Sequence, residues 1–168
     1  MLMTSPDLPF LESSRIIFKL YACEEHLKNI KNIKLQHGYL LSKDARVNAE
    51  IEIDSLISQI IGTVDSLLFR IIDKLLLTGI RKDRIEIPTV ISGLSAESRG
   101  IDLAKELQDA NMQGNWYQEI KNFRNYSLSG SLLSAEASLD VIPYFEHTLS
   151  QLKEFIKNIM LKEPVLQN

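Results

Sequence analysis

Apolar residues recur along most of this chain at spacings of three and four, the period of a helix with one buried face. Ile16, Leu20, Cys23, Leu27 and Ile30 keep that spacing and predict a helix from near Glu12 or Ser13 to about Gln36, with Gly38 as its C-terminal cap. After a short linker at Ser42 to Asp44, the longest periodic segment runs from about Ala45 to Leu77. Its apolar arc is carried by Val47, Ile51, Ile57, Ile60, Ile61 and Val64, then by Leu67, Leu68, Ile71, Ile72, Leu75 and Leu76. The arc widens toward the C-terminal half, so that half is expected to touch several neighbours and to end near Gly79.

The stretch from Arg81 to Leu94 holds Ile85, Ile87, Val90 and Ile91 around Pro88 and reads as a loop or short turn. A lone strand there would have no partner, because no other part of the chain alternates with period two. Leu103, Leu107 and Ala110 predict a helix over about Ala96 to Asn111 with Ser95 as its cap, and Trp116, Ile120 and Phe123 predict another from Asn115 to Tyr126 that exits into a polar loop at Ser127 to Ser131. A last helix is expected from near Pro143 to about Lys162, with Phe145, Leu149, Leu152, Ile156 and Ile159 on one face. The first ten residues read as an irregular arm, and 164–168, opened by Pro164, as a tail. The sum is a single all-α domain, an up-and-down bundle of about five helices built on two long N-terminal ones.

Composition narrows the function classes. Among 168 residues, 45% are hydrophobic and 24% charged, the proportions of a globular domain that needs no disulfide or metal to hold it. Asp65, Arg70, Asp73 and Lys74 interrupt the greasiest region, and Met1 to Phe10 lack the pattern of a secretory signal, so a cytoplasmic protein with no membrane association is expected. The single cysteine, Cys23, lies on the apolar stripe and reads as a buried structural thiol. A formal net charge of -3 gives no global case for binding nucleic acid, although Arg15 to Arg46 carries seven Lys or Arg against three acids. No zinc-ligand cluster, phosphate loop or di-iron Glu-x-x-His pair occurs, so no metal or cofactor is expected.

The one segment that points to chemistry runs from Trp116 to Ser129, where an apolar stripe carries Arg124 and Asn125 into a polar end. Arginine offers a charged planar fork that matches a phosphate. Lys121 and Asn125 project beside it from the stripe's margin, and Tyr126 adds a phenol able to hydrogen-bond or to stack on a base. The same arginine could instead anchor the helix end to a carboxylate such as Glu119.

An Arg-Asn pair behind aromatic and aliphatic residues at helical spacing resembles the signature of the HEPN superfamily, small helical domains of which many are metal-independent ribonucleases. The resemblance implies a homodimer with two copies of the motif facing each other, an arginine holding the scissile phosphate, and a histidine four to six residues further on for proton transfer. In this chain those positions hold Leu128, Ser129 and Gly130, and a serine hydroxyl does not titrate near neutrality. Loss of acid-base help alone lowers such a rate by about 10²- to 10⁴-fold. His26, His37 and His147 lie elsewhere in the sequence and are expected to be solvent-exposed or capping.

Three readings follow. The foremost is a degenerate HEPN-like module that binds RNA, a nucleotide or a protein partner without catalysis, in a toxin-antitoxin, phage-defence or RNA-processing setting. The second is an active metal-independent endoribonuclease whose site uses Arg124, Asn125 and Ser129, or Tyr126 or a distant histidine. The third is a structural bundle in which Arg124 only pins a helix.

Overall fold

A computed structural model describes residues 15–38, 41–96, 100–129 and 139–167, with the side chains of 127–129 left aside. Among the described residues there are six α-helices, not five, and no strand. They are α1 (Arg15–His37), α2 (Lys43–Lys74), α3 (Ile87–Ala96), α4 (Ile101–Asn111), α5 (Trp116–Ser129) and α6 (Ile142–Lys162), followed by a single 3-10 turn, Pro164–Gln167.

α1 and α2 form an antiparallel hairpin, in which Lys19 lies against Gly62 and His26 against Glu52. The predicted stripe of α1 is the buried one: Ile16, Leu20, Cys23, Leu27 and Ile30 all face inward. Helix α2 is the hub and touches α1, α3, α5, α6 and the 3-10 turn. Leu56, Ile57, Ile60, Val64, Leu67, Leu68 and Ile71 along it are almost wholly removed from solvent, each worth about 1.5–3 kcal/mol of burial. Its wide apolar arc is thus largely used by the chain's own core, apart from the half-exposed Val47 and Ile51 and, beyond the helix end, the exposed Leu76. By length and composition alone α2 is apolar enough to cross a membrane, but 56% of its most apolar window is buried inside the fold. Ser42 caps it, its hydroxyl accepting from the Ala45 amide at 3.3 Å.

The end of α2 departs from expectation. The residue that turns the chain is Leu76, at φ +53°, rather than Gly79. The Leu77 amide reaches back to the Ile72 carbonyl at 3.0 Å, and both side chains are buried, which makes a Schellman close around a leucine in a conformation that glycine prefers.

The stretch read as a loop contains a helix. Ile87, Val90 and Leu94 recur at helical spacing and are buried together, while Pro88 occupies the first turn, where its missing N–H costs nothing. Ser95 consequently lies inside α3 rather than capping the next helix, and α4 begins at Ile101 after Gly100. Helix α5 continues through Ser127 to Ser129, which was expected to be loop. Past Pro164 the chain does not trail away: Leu166 is fully buried and its carbonyl accepts from Arg70 Nε at 2.5 Å. The expected arm over 1–10, the start of the first helix at 12–13 and the loop residues 130–131 lie outside the described residues.

Candidate functional site

Helix α5 has two working faces, and the periodicity explains why. Tyr117, Lys121 and Arg124, at i, i+4 and i+7, form one stripe that faces α2. Trp116, Glu119 and Phe123 form the other, turned toward α6, where Trp116 meets Phe155 edge-on at 5.7 Å and Phe123 packs on Tyr144 and Phe145. Tyr117 is only 5% exposed, so it belongs to the core that sequence reasoning had assigned to Trp116, Ile120 and Phe123.

The α2 face opens into a cleft of about 330 Å³. Its floor is Ile61, Ile85, Ile87 and the Tyr117 ring, and its rim carries Lys121, Arg124, Asn125, Asp65 and Glu86. Lys121 Nζ stands 5.6 Å from the centre of the Tyr117 ring, a cation held over an aromatic face. Arg124 and Asn125 are both exposed at the mouth. A third cation comes from α1: Lys19 crosses α2 at Gly62, where a Cβ would lie 2.7 Å from its ammonium nitrogen.

Asp65 is the carboxylate these cations share. Crowding by protein raises its pKa above the ordinary carboxylate range, and Arg124, Lys19 and Lys121, in that order, pull it back down. Arg124 thus acts on a carboxylate of α2, while Glu119 lines a groove on the far side of α5. Burial also pushes the Tyr117 phenol well up, with the Asp65 charge adding to the effect. Tyr117 thus stays neutral at working pH and offers an O–H donor, not a base.

The groove on the far side has the opposite sign. It encloses about 380 Å³ between α4, α5 and α6 and presents Glu106, Asp109, Glu119 and Glu154, of which Glu106 is met by Lys162 at 2.6 Å. An anion would be repelled there, so the two faces of α5 are not interchangeable.

Of the sequence-derived candidates, the fold brings Lys121, Arg124 and Asn125 together in the cleft, whereas Tyr126 is exposed outside its lining. Ser129 is the last residue of α5, five positions beyond Arg124, and its side chain lies outside the described residues. None of the three histidines lines the cleft. His26 Nδ1 is 2.7 Å from Glu52 Oε2, His37 closes α1, and His147 borders the acidic groove. The excess of Lys and Arg between Arg15 and Arg46 is partly neutralised, Lys31 meeting Glu146 at 2.5 Å and Lys28 meeting Glu25 at 3.6 Å. Cys23 is fully buried and its thiol is pushed up to about 12 by desolvation. Among the described residues no group of three or more His, Cys, Asp or Glu is placed to hold a metal ion.

No family model, curated protein or solved structure matches the chain.

Proposed function

We propose that this chain is a HEPN-like domain without the catalytic histidine, and that it binds RNA by the phosphate backbone at the Arg124 cleft. The observation that carries the reading is the pairing of Lys121 and Arg124 at one recess, with Lys19 of α1 acting alongside them on its Asp65. Guanidinium and ammonium donors above an apolar floor suit a phosphodiester, with Asn125 as a neutral donor beside them. Among the described residues no histidine lines the cleft beside the arginine, so the proposed role is binding rather than cleavage. An RNA ligand sets this activity in the cytoplasm, in a toxin-antitoxin, phage-defence or RNA-processing context, with the protein acting as a dimer of the kind the resemblance implies.

One observation favours a structural alternative: Arg124 of α5 is close enough to Asp65 of α2 to attract its carboxylate. The Arg124→Ala variant separates the two. Charged hydrogen bonds to phosphate are worth about 1.5–3 kcal/mol, so fluorescence anisotropy with labelled RNA should show roughly 10- to 100-fold weaker binding while the thermal midpoint stays close to wild type. A variant that melts far earlier yet binds RNA as before would make Arg124 a structural pin. Incubation of the wild-type chain with RNA in EDTA should give no cleavage; Arg124-dependent cleavage would make it an enzyme. Light scattering should report twice the 19.2 kDa chain mass, and a strict monomer would count against the family reading.

A further inference from the structure

The Arg124 cleft does not end at Asp65. A second recess of about 660 Å³ continues from it along α2, sharing Asp65, Ile85 and Glu86 as common walls. Its own lining is unlike that of a simple ion site: Arg15, Lys82 and Arg84 line it together with the ring of Phe69, and the Arg15 guanidinium lies 5.5 Å from the centre of the Phe18 ring. Phe69 is 44% exposed although it sits on the most buried helix of the protein. Lys82 Nζ stands 5.3 Å from the centre of that ring. Two acids beside Asp65 oppose these cations, Glu86 and Asp83, and Asp83 is already held by Arg81 at 2.6 Å.

We propose that this recess is a base-stacking subsite, with Phe69 as the platform on which a base of a single-stranded RNA lies while Arg124 and Lys121 hold a phosphate of the same strand. The inference rests on the phosphate-binding reading above and specifies the form of nucleic acid that the site takes. Exposed aromatic rings flanked by cations are the recurring means of binding single strands, because every base has a π face and every linkage a charge. The two recesses are continuous through Asp65, Ile85 and Glu86, so one strand can reach both Phe69 and the Arg124 end. Lys82 is drawn to the ring in the free protein by cation–π attraction, so a base that takes the ring leaves the same ammonium beside the strand's next phosphate. A duplex does not satisfy the subsite, since its bases are already stacked on one another.

The experiment uses the 168-residue chain and three labelled ligands of equal length: a single-stranded RNA, an abasic ribose-phosphate strand and an RNA duplex. Phe69→Ala should weaken binding of the single-stranded RNA roughly 5- to 150-fold, the range that loss of one stacked base gives. It should leave the abasic strand and the duplex unchanged. Phe69→Trp should bind the RNA at least as well as wild type, which guards against a folding defect in the alanine variant. Arg124→Ala should weaken the RNA and the abasic strand alike. If Arg124→Ala loses binding while Phe69→Ala and Phe69→Trp match wild type on all three ligands, the stacking subsite is refuted and the phosphate reading survives. If the wild-type chain binds neither the RNA nor the abasic strand, both fail together.

Discussion

Replacing Gly62 with alanine should stabilise the fold and weaken the proposed site at once, because the same added methyl group removes a helix-weakening glycine and displaces Lys19, which acts on the Asp65 of the cleft. Gly62 is interior to α2, far from either end, where glycine costs about 0.8–1.0 kcal/mol relative to alanine. The opposing term is steric. An added Cβ would lie 2.7 Å from Lys19 Nζ, 3.4 Å from its Cε and 3.7 Å from its Cδ. All three atoms belong to the far end of a flexible side chain, so the lysine can swing away instead of straining the helix pair. The loss is then a partly exposed interaction between Lys19 and Asp65, worth about 0–1 kcal/mol after solvent screening. The balance is a gain of up to about 1 kcal/mol, which for a domain of this size raises the melting midpoint by up to about 2–4 °C. RNA affinity should move the other way, because a cation that offsets Asp65 beside the cleft has been displaced. Thermal unfolding followed by circular dichroism, paired with anisotropy on the same preparation, reads both. A drop of several degrees in the midpoint would show that Lys19 cannot yield and that the α1–α2 register depends on it. Unchanged RNA affinity with the expected stabilisation would remove Lys19 from the site.

Three further outcomes follow from the same reasoning. Asp65 has a raised pKa in the folded state, so the native protein holds its proton more tightly than the unfolded chain, and this group's contribution to stability falls as pH rises from the ordinary carboxylate value through the folded one. Asp65→Asn should abolish that dependence in urea melts run across the acid range, and should strengthen RNA binding by removing the internal competitor; weaker binding would mean that Asp65 positions the cations. Leu76→Gly should add about 1 kcal/mol, since a left-handed leucine at φ +53° carries a steric penalty that glycine does not and its side chain is 78% exposed; a loss of stability in chemical denaturation would show that Leu76 packs against something in solution. Cys23, with its thiol near 12, should resist a thiol reagent at pH 8 until the protein unfolds, and stability should decline above about pH 9 as the unfolded thiol ionises first; rapid labelling of the native chain would contradict its burial.

Much of the helical framework was legible because burial imposes a period that survives in one sequence. The five stripe residues of α1 and those of α6 are the ones found inside, and Leu103, Leu107 and Ala110 of α4 likewise. Elsewhere two physical cues competed. In α3 the β-branched run around Pro88 suggested extended chain, while the spacing of Ile87, Val90 and Leu94 was already helical and the proline sat where a first turn accepts it. Tyr117 was overlooked because tyrosine tolerates either environment, and its burial depends on α2 lying across it. The site was legible only along α5. Lys121, Arg124 and Asn125 share a local segment, but Asp65, Lys19 and Gly62 join them through the register of the α1–α2 hairpin, which no local pattern encodes. Glu119 seemed the nearer carboxylate in sequence, yet five positions of helix turn it to the opposite face.

That opposition of faces also resolves how a chain of net charge -3 can be expected to hold a polyanion. Total charge governs the field at a distance, whereas the strand meets only what lies within a Debye length, about 8 Å at physiological salt. The acidic residues Glu106, Asp109, Glu119 and Glu154 line the opposite side of α5, whose diameter with side chains, about 10–12 Å, is comparable with that length. Near physiological ionic strength an anion at the cleft therefore meets chiefly the cleft's own charges, Lys121 and Arg124 against Asp65 and Glu86, with the carboxylates of the far face screened. At low salt the Debye length grows to about 30 Å and both faces are felt together. Affinity for an RNA strand should then gain less from salt reduction than the count of cations in the cleft would give on a uniformly basic protein, since counterion release is opposed by repulsion from the far face. The placement of charge on the two sides of α5, rather than its sum, is what makes the Arg124 face the one on which an anion can be held.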